Sequence, residues 1–340
     1  MKHLREIGKY EIIQHLGNGH FGNVYLAHDR ALDARKAIKV LDVSDPQQFL
    51  KQLEEAQILN KCRHKHIVEV NEADIYDVSG KPKVVIDMEF ISDGSLANQL
   101  ERSFLSIVDA TNYIIHILFG LEHAHNQNIL HRDIKPANIM LSGSIAKLSD
   151  FGLATSLGVD SAGSPKGYIS HLAPEVFTNG CTTVATDIYA VGITLFRIAS
   201  NITRWDEVLY DLPNAYDKIK VGTLVKSIGY PAHVPRKIKR IINKACHSDP
   251  TRRFNNAQEM RQALEALSPS ISWKMENYNR WVGESWQTQD RHEIDFVTKK
   301  DYKIVVKKNG RRITAYCKSF TQSNDAKKYM LDYVSKTMFE

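Results

Sequence analysis

Apolar residues near the start of the chain fall into short runs separated by turn residues. Runs of this length, rich in β-branched and aromatic residues, predict five β-strands, at Tyr10–Leu16, Val24–Asp29, Ala37–Leu41, Ile67–Tyr76 and Val84–Glu89. Between the third and fourth runs, apolar residues recur near helical spacing, which predicts a helix from about Pro46 to Cys62. This part of the chain should therefore be mainly sheet.

The pattern becomes mainly helical beyond Ser95. Helical spacing predicts longer helices at Leu105–Gln127, Thr183–Ala199, Pro235–Cys246 and Ala257–Leu267. A sheet-rich segment followed by a helix-rich one is typical of an α+β fold with two lobes. The residues Ser268-Pro269-Ser270 mark the expected end of the second lobe.

A smaller unit is predicted in residues 271–340. Its predicted elements are strands at Ile294–Val297, Tyr302–Val306 and Arg312–Cys317, an Asn309-Gly310 turn, and a final helix at Ala326–Met338. They predict a small module of a β-hairpin and a helix. Three tryptophans near its start, Trp273, Trp281 and Trp286, are expected to pack against the helical lobe rather than be exposed.

Composition adds the location of the charge. The 340 residues include 45 Lys or Arg and 39 Asp or Glu, a formal charge of +6, and 43% are hydrophobic, which excludes a disordered, collagen-like or rod-like chain. Residues 271–340 hold 14 basic and 9 acidic residues, or +5, which leaves +1 for residues 1–270. The excess charge therefore belongs to the C-terminal module.

Compartment signals favour the cytoplasm. The four cysteines are far apart and form no CxxC pair, which favours a reducing compartment. The first residues, MKHLREIGKYEII, lack the apolar region of a signal peptide, and the most apolar windows are too short to span a membrane. We expect a cytoplasmic protein without a membrane segment.

A glycine-rich stretch contains Gly17, Gly19 and Gly22 and lies between two predicted strands. Glycines let backbone N–H groups approach phosphate oxygens closely. A dinucleotide site requires the glycines to lead into a helix, whereas here a strand follows, so the glycines form a hairpin tip. By themselves they are compatible with a phosphate-binding hairpin or with an ordinary turn.

Lys39 lies in the predicted strand Ala37–Leu41, among apolar residues. A lysine in such a strand needs a charge partner or a path to solvent. Glu54 and Glu55 on the predicted helix are candidates for the partner, and Glu55 is the better placed of the two. Without further motifs, a solvated lysine at the sheet edge is the simpler interpretation.

The strongest chemical signal is the segment His131–Asn138, followed by Ser149-Asp150-Phe151-Gly152. Phosphoryl transfer to a hydroxyl needs a carboxylate near the nucleophile, oxygen ligands for Mg²⁺, and cations near the phosphates. Asp133 supplies the carboxylate, Asn138 and Asp150 supply oxygen ligands, and Lys135 is a nearby cation. Their order, after a glycine loop and a strand lysine, favours a catalytic site over separate surface charges.

On these motifs, residues 8–268 resemble the eukaryotic-type (Hanks-type) serine/threonine protein kinase family, and most of all its bacterial members. The resemblance implies a bilobal α+β kinase fold, with an N-lobe at 8–91 and a C-lobe at 92–268, and implies ATP and Mg²⁺ as cofactors. It implies these roles: Gly17, Gly19 and Gly22 cover the phosphates, Lys39 paired with Glu55 holds them, Asp133 is the catalytic base, Lys135 assists it, and Asn138 and Asp150 bind Mg²⁺.

The resemblance also implies an adenine pocket and two structural pairs. Met88 would gate the pocket, Glu89 to Ile91 would form the hinge, and Val24, Ala37 and Met140 would be its walls. Glu175 is expected to pair with Arg253, and Asp187 to brace the catalytic loop. Lys135, two residues after Asp133, resembles the serine/threonine-directed subgroup.

Regulation is expected through the activation segment. Arg132 precedes Asp133, and in the family this often accompanies control by phosphorylation, for which the available acceptors are Thr155, Ser156, Ser161 and Ser164. One departure stands out, since Gly167, Tyr168 and His171 occupy the usual glycine, threonine and tyrosine positions before Ala173-Pro174-Glu175. A pseudokinase scaffold that binds nucleotide without catalysis is therefore the alternative to an active kinase.

The basic module allows two interpretations. Six cations lie at its predicted turns: Lys299, Lys300, Lys307, Lys308, Arg311 and Arg312. The first interpretation is a protein-interaction or autoregulatory module whose strand ends are solvated. The second is a nucleic-acid-binding module, since a basic hairpin can follow phosphates. The protein substrate is not apparent from the sequence.

Overall fold

The N-terminal lobe is one antiparallel sheet of six strands, in the order β1-β2-β3-β4-β6-β5. The computed structural model describes residues 5–18, 22–42, 57–58, 61–78, 80–151, 155–156 and 169–340 of the chain. The strands of this sheet are β1 (Glu6–Ile7), β2 (Tyr10–Asn18), β3 (Gly22–Asp29), β4 (Ala34–Asp42), β5 (Val70–Asp77) and β6 (Pro82–Glu89). They confirm the five predicted strands. The predicted helix from Pro46 to Cys62 lies mostly outside the described residues.

The side chains of β4 alternate between two surfaces, as the pleat of a strand requires. Ile38 and Val40 belong to a small apolar cluster with Tyr10 and Val85. Ala37 and Lys39 lie on the opposite surface and line the cavity between the two lobes. The alternation therefore places a lysine that is only 3% exposed at this cavity.

The second lobe is helical. Its helices are α1 (Leu96–Arg102), α2 (Ile107–Asn126), α3 (Pro174–Asn179), α4 (Val184–Ala199), α5 (Trp205–Asp211), α6 (Ala215–Lys220), α7 (Leu224–Ile228), α8 (Arg236–Ala245) and α9 (Ala257–Glu265). The central helix α4 packs against α2, α8 and α9 and is buried along most of its length. The four predicted long helices correspond to α2, α4, α8 and α9, and the predicted bilobal α+β class is confirmed.

Four short strands organise the region between the lobes. They are β7 (Ile129–Leu130), β8 (Ile139–Ser142), β9 (Ile145–Leu148) and β10 (Thr155–Ser156), and they pair as β7 with β10 and β8 with β9. The backbone N–H of Ser149 donates to the carbonyl of Asn138 at 2.9 Å. The β8–β9 hairpin thereby brings the loop 131–138 next to Asp150.

The C-terminal module is a six-stranded sheet followed by a helix. Its elements are β11 (Ile271–Asn277), β12 (Arg280–Ser285), β13 (Arg291–Thr298), β14 (Tyr302–Lys308), β15 (Arg311–Arg312), β16 (Lys318–Phe320) and α10 (Ser323–Thr337). The expected hairpin and final helix are present. The strands β11 and β12 are additional to that expectation. The strand expected at Arg312–Cys317 ends at Arg312, because Thr314–Tyr316 form a 3₁₀ turn.

One face of this sheet packs against α10. Ile294, Ile304 and Val306 from the sheet and Met330 and Val334 from the helix are buried in an apolar core that is continuous with that of the helical lobe. The strands alternate apolar and polar residues, and the buried pattern follows the apolar ones. The module is therefore part of the same folded body as the second lobe.

The three tryptophans have different environments. Trp281 is 1% exposed and its ring packs against Phe104 and His233 of the helical lobe, with centroids 5.1 and 5.3 Å away. Trp273 is buried within the module, where its Nε1 donates to Thr337 Oγ1 at 2.9 Å. Trp286 is 52% exposed. The expected packing against the lobe is confirmed for Trp281 and wrong for Trp286.

Two of the six cations at the module's turns have carboxylate partners in the structure. Lys307 lies 3.1 Å from Asp295, and Lys308 lies 2.7 Å from Asp290. Lys299 and Lys300 follow β13, whereas Arg311 and Arg312 form β15 beyond the far end of β14. The cations therefore lie at two opposite ends of the sheet.

Within the described parts of the chain, no helix is both long enough and apolar enough to cross a membrane.

Candidate active site

The loop 131–138 is held in place by one buried carboxylate, that of Asp187 on α4. Asp187 accepts hydrogen bonds from the backbone N–H groups of His131 at 2.9 Å and Arg132 at 2.8 Å, and from His125 Nε2 at 2.9 Å. Burial by itself would raise the pKa of Asp187, but the hydrogen bond and charge of His125 outweigh it and lower the pKa below its usual range. The expected brace of this loop is confirmed.

Two residues of the site have an unusual backbone conformation. Arg132 has φ of 70° and Asp150 has φ of 60°, both in the left-handed region that non-glycine residues rarely adopt. Such a conformation persists where the surroundings provide compensating interactions. For Arg132, the hydrogen bond from its own N–H to Asp187 provides one of them.

The carboxylate of Asp133 is held by two neighbours of its own loop. Lys135 Nζ lies 2.7 Å from Asp133 Oδ2, and Asn138 Nδ2 donates to the same oxygen at 2.9 Å and to the Asp133 carbonyl at 2.8 Å. Asp133 is only 5% exposed. The structure thus brings together three of the predicted catalytic and metal-binding residues.

Lys39 and Asp150 meet across the gap between the lobes. Lys39 Nζ lies 2.9 Å from Asp150 Oδ1. Burial would raise the pKa of Asp150, but the charge and hydrogen bond of Lys39 outweigh it and lower the pKa. Glu55, the predicted partner of Lys39, lies outside the described residues, so that pair stays a prediction.

The rings of His131 and Phe151 pack against each other. Their ring centroids are 4.5 Å apart, and His131 Nε2 lies 3.0 Å from the Ser149 carbonyl. Burial lowers the pKa of His131, so its ring is neutral near pH 7. The histidine therefore connects the two halves of the site through packing and one hydrogen bond.

A cavity of about 1070 Å³ opens onto these residues. Its lining includes most of the residues predicted from sequence: Gly17, Val24, Ala37, Lys39, Met88, Glu89, Ile91, Asp133, Lys135, Asn138, Met140 and Asp150. Its lining contains both apolar side chains, such as Val24 and Met140, and charged side chains, such as Lys39 and Asp150. A lining of both kinds suits a ligand that has a flat apolar ring and phosphates.

Further lining residues come from helix α1 and its cap. Ser95 caps this helix, and the Ser95 and Asn98 side chains each bond the backbone N–H of the other residue. Ser95, Asn98 and Arg102 all line the cavity. The capping pattern predicts the start of α1, but only the tertiary structure places this helix at the cavity mouth.

The predicted glycines have different surroundings. Gly17 lines the cavity, and an added Cβ there would have no atom within 4 Å. An added Cβ at Gly22 would lie 2.3 Å from the carbonyl oxygen of Val40, so close backbone packing already requires a glycine there. Gly19 lies outside the described residues, and the phosphate-covering role of all three glycines stays a prediction.

Comparison with known proteins decides the family. The family model for the protein kinase domain matches residues 10–265. The chain belongs to the protein kinase family. The family prediction made from the glycine, lysine and Asp133 motifs is therefore confirmed.

Several relatives are serine/threonine kinases, and bacterial ones are among them. The serine/threonine-protein kinase PrkC of Bacillus subtilis is 33% identical over 269 residues, which are 76% of this chain and 40% of that protein. PknG of Mycobacterium leprae is 32% identical over 264 residues, 76% of this chain and 32% of that protein. CBL-interacting serine/threonine-protein kinase 21 of Arabidopsis thaliana is 29% identical over 263 residues, which are 75% of this chain and 60% of that protein. The chain thus spans less than two thirds of these relatives.

The kinase's Asn138 and Asp150 offer a donor set that fits Mg²⁺. Mg²⁺ prefers hard oxygen ligands and is usually bound by one or two protein groups together with substrate phosphates. Because Asn138 Nδ2 bonds to Asp133, its Oδ1 is the atom available to a metal ion. Asp150 keeps Oδ2 beside the Oδ1 that faces Lys39. A bound ion would neutralise phosphate charge at this position.

The end of the kinase's activation segment is anchored by a buried ion pair. Arg253 binds Glu175 through two hydrogen bonds of 2.7 and 2.8 Å, and the arginine is 3% exposed. The expected pair is confirmed. Earlier in the same segment, His171 is buried, and burial lowers its pKa well below the ordinary value. A neutral histidine thus occupies the usual tyrosine position, while Gly167 and Tyr168 lie outside the described residues.

The predicted phosphorylation sites are mostly outside the described residues. Thr155 and Ser156 form strand β10, which pairs with β7. Ser161 and Ser164, together with the rest of residues 157–168, are not among the described residues. Phosphorylation of this segment stays a prediction.

Proposed function

We propose that this kinase transfers the γ-phosphoryl group of ATP, with Mg²⁺, to serine or threonine hydroxyls of a protein. One observation carries the proposal. Asp133 lies at the ATP-sized cavity with its carboxylate fixed by Lys135 and Asn138, and the Lys39–Asp150 pair lies on the same cavity. This arrangement provides a base, phosphate-binding cations and metal-ligating oxygens together.

The proposed reaction assigns a task to each group. The substrate hydroxyl oxygen forms a bond to the γ-phosphorus while the bond from that phosphorus to the bridging oxygen of ADP breaks. Asp133 orients the hydroxyl and takes its proton, since its carboxylate is held at the cavity by Lys135 and Asn138. Lys39 positions the phosphates, and Mg²⁺ at Asn138 and Asp150 supplies charge neutralisation.

Specificity for serine and threonine is supported by Lys135 and by the relatives. Lys135 Nζ contacts the carboxylate of Asp133 at 2.7 Å, so it is placed to approach the γ-phosphate as well as the base. The named relatives from Bacillus subtilis and Mycobacterium leprae are serine/threonine kinases.

Radiolabelled ATP and a generic protein substrate provide the test. Asp133→Ala should abolish phosphate transfer while nucleotide binding, followed by a thermal shift with Mg-ATP, is retained. Asp211→Ala, an exposed aspartate on α5, is the matched control and should keep full activity. Transfer by Asp133→Ala at the wild-type rate would refute the base, and a wild-type protein that binds nucleotide without transfer would favour the pseudokinase scaffold.

We also propose that autophosphorylation of the activation segment regulates the kinase. Arg132 is half-buried, and burial lowers the pKa of its guanidinium. Among the described residues, this guanidinium forms no ion pair with a carboxylate. A phosphate on Thr155, Ser156, Ser161 or Ser164 would provide a bidentate partner.

Peptide mapping by mass spectrometry after incubation with Mg-ATP tests this proposal. We expect phosphate on at least one of the four residues in the wild type and on none in Asp133→Ala. An active enzyme whose segment stays unmodified would contradict it. Arg132→Ala should leave an unphosphorylated enzyme's activity nearly unchanged and remove the activation that follows phosphorylation.

For the C-terminal module, we favour a protein-interaction or autoregulatory role over nucleic-acid binding. The cations at its turns do not form one surface, because β14 separates Lys299 and Lys300 from Arg311 and Arg312 by about 20 Å at about 3.4 Å per residue. Its contact with Phe104, directly after α1, connects it to the mouth of the ATP cavity. The module is therefore positioned to influence nucleotide binding.

A further inference from the structure

The near-neutral charge of the kinase domain conceals a strongly basic segment. Residues 218–248 contain eight Lys or Arg residues and no Asp or Glu. Five of the eight lie on the ten-residue helix α8. The net charge of +1 over residues 1–270 is therefore the sum of this basic segment and of other, more acidic parts of the domain.

Four of the five cations on α8 have no anionic partner. The side chains of Arg236, Lys237, Lys239 and Arg240 form no hydrogen bond and no ion pair in the described structure, whereas that of the fifth, Lys244, binds Glu259 at 2.6 Å. Arg236 and Arg240 are exposed. Their charge is thus available to a ligand.

Three of these cations lie on one face of the helix. Arg236, Lys239, Arg240 and Asn243 are spaced three, four and seven residues from the first, which places their side chains on the same side. They line a concavity of about 420 Å³. We refer to these four residues as the α8 basic surface.

Folding of α8 does not account for the cations at its start. Ile238, Ile241 and Ile242 are buried and explain why the helix packs on the lobe. Arg236 and Lys237, however, lie in the first turn, where the positive end of the helix dipole disfavours cations, and no acidic residue and no side-chain cap offset them. Binding of an anion would satisfy both the cations and the uncapped N–H groups.

Neighbouring side chains orient the α8 basic surface. Tyr230 donates its hydroxyl hydrogen to Asn243 Oδ1 at 2.7 Å, which uses the amide oxygen of Asn243. The amide nitrogen of Asn243 is then the part left for a ligand, and it is a donor. Lys239 Nζ lies 5.5 Å from the centre of the Tyr230 ring, which restrains this lysine. The surface thus presents donors only.

We propose that the α8 basic surface binds the phosphate backbone of a nucleic acid. Arginine, lysine, an amide donor and a helix N-terminus are the groups that proteins use on phosphate backbones. The concavity is lined by these four side chains, of which three are cationic and none is acidic, so its charge is complementary to a row of phosphates. The class of ligand that fits is a regularly spaced phosphate polyanion, bound without base readout.

The test measures binding of the full chain to fluorescently labelled DNA duplexes at several salt concentrations. The triple variant Arg236→Ala, Lys239→Ala, Arg240→Ala should weaken binding at least tenfold and reduce the slope of log affinity against log salt by about 2.7. The matched control removes three exposed cations of the C-terminal module: Lys299→Ala, Lys300→Ala and Arg311→Ala. It changes the net charge equally and should retain most of the affinity. Two duplexes of unrelated sequence should bind equally well.

Contrary outcomes are distinct. Absence of binding by the wild type at about 50 mM salt overturns the proposal. An equal loss of DNA affinity in both triple variants also overturns it. A loss of affinity in the module variant alone overturns it as well and would place the nucleic-acid site on the C-terminal module. Tighter binding of poly-glutamate or of phosphatidylserine vesicles through the same three residues would replace nucleic acid by a protein or membrane partner. Phosphate transfer to a generic substrate should be unchanged in both variants, which verifies that they are folded.

Discussion

Trp281 of the C-terminal sheet packs edge-on against Phe104, with ring centroids 5.1 Å apart and ring planes at 79°. Phe104 follows helix α1 by two residues, and Ser95, Asn98 and Arg102 of the α1 region line the cavity between the lobes. The buried tryptophan therefore supports the segment that carries one wall of the cavity. This contact links the module to the kinase site.

Replacing this tryptophan should affect ATP binding more than chemistry. Trp281→Ala removes a fully buried ring, which costs about 3–5 kcal/mol of stability, and should raise the KM for ATP severalfold while kcat at saturating ATP changes little. Steady-state kinetics and thermal unfolding measure both effects. Trp286→Ala, the half-exposed tryptophan of the same module, is the control and should change neither. An unchanged KM for ATP in the folded Trp281→Ala variant would show that the contact with Phe104 contributes to stability and not to ATP binding.

Lys39 should be required for turnover. Lys39→Met removes the cation that faces Asp150 at 2.9 Å and should lower kcat/KM by about a hundredfold or more, since a preorganised charge near the phosphates is lost. Phosphate transfer from radiolabelled ATP is the measurement. Arg35→Met, an exposed cation on the same strand, should retain normal activity. Near-normal turnover by Lys39→Met would exclude Lys39 from phosphate binding.

The buried pair of Glu175 and Arg253 should contribute more to stability than an exposed pair. Glu175→Gln leaves the Arg253 guanidinium, 3% exposed, without its bidentate partner and should cost about 3–5 kcal/mol. Arg204→Ala, which breaks an exposed pair with Glu207, should cost less than about 1 kcal/mol. Urea unfolding of the two variants compares them. Equal losses would show that burial of the first pair has no energetic consequence.

Acidification should destabilise the fold through His116. The His116 ring stacks on that of His66 with centroids 4.4 Å apart, and burial lowers the pKa of His116 to about 4, below the ordinary 6.5. Because the pKa of His116 is lower in the folded state than in the unfolded state, the folded state is favoured above pH 6.5, where both forms are neutral. As the pH falls from 6.5 towards 4, the free energy of unfolding decreases by at most about 3 kcal/mol. In His116→Gln, the free energy of unfolding should therefore depend less on pH between pH 6.5 and pH 4.

Urea unfolding between pH 7 and pH 4.5 measures the slope for the wild type and for His116→Gln. Arg35→Met, which replaces an exposed cation of the N-terminal sheet, is the control and should leave the slope unchanged. If the free energy of unfolding has the same slope against pH in all three proteins, then the lowered pKa of His116 does not contribute to the pH dependence of stability.

Much of the kinase domain was predictable because its signals are local. Strand alternation around Lys39 and helical spacing in α2 and α4 follow from which residues are buried, and these predictions are confirmed. The order of Asp133, Asn138 and Asp150 along the chain identified the family, because phosphoryl transfer needs these groups at short spacings. The module was harder, since the short strands β11 and β12 carry a weaker periodic signal than a long helix.

The sequence by itself determined the two-lobed α+β fold and the kinase family and predicted the residues of the candidate active site, because each depends on spacing along the chain. Only the tertiary structure placed Asp187 beneath the loop 131–138, Trp281 against Phe104, and α1 at the cavity mouth. It alone also decided which cations are partnered, since Lys307 and Lys308 meet carboxylates and four of the five cations of α8 do not. The physical reason is that these contacts join residues far apart in the chain. A net charge does not specify the distances between charges, on which their interaction depends.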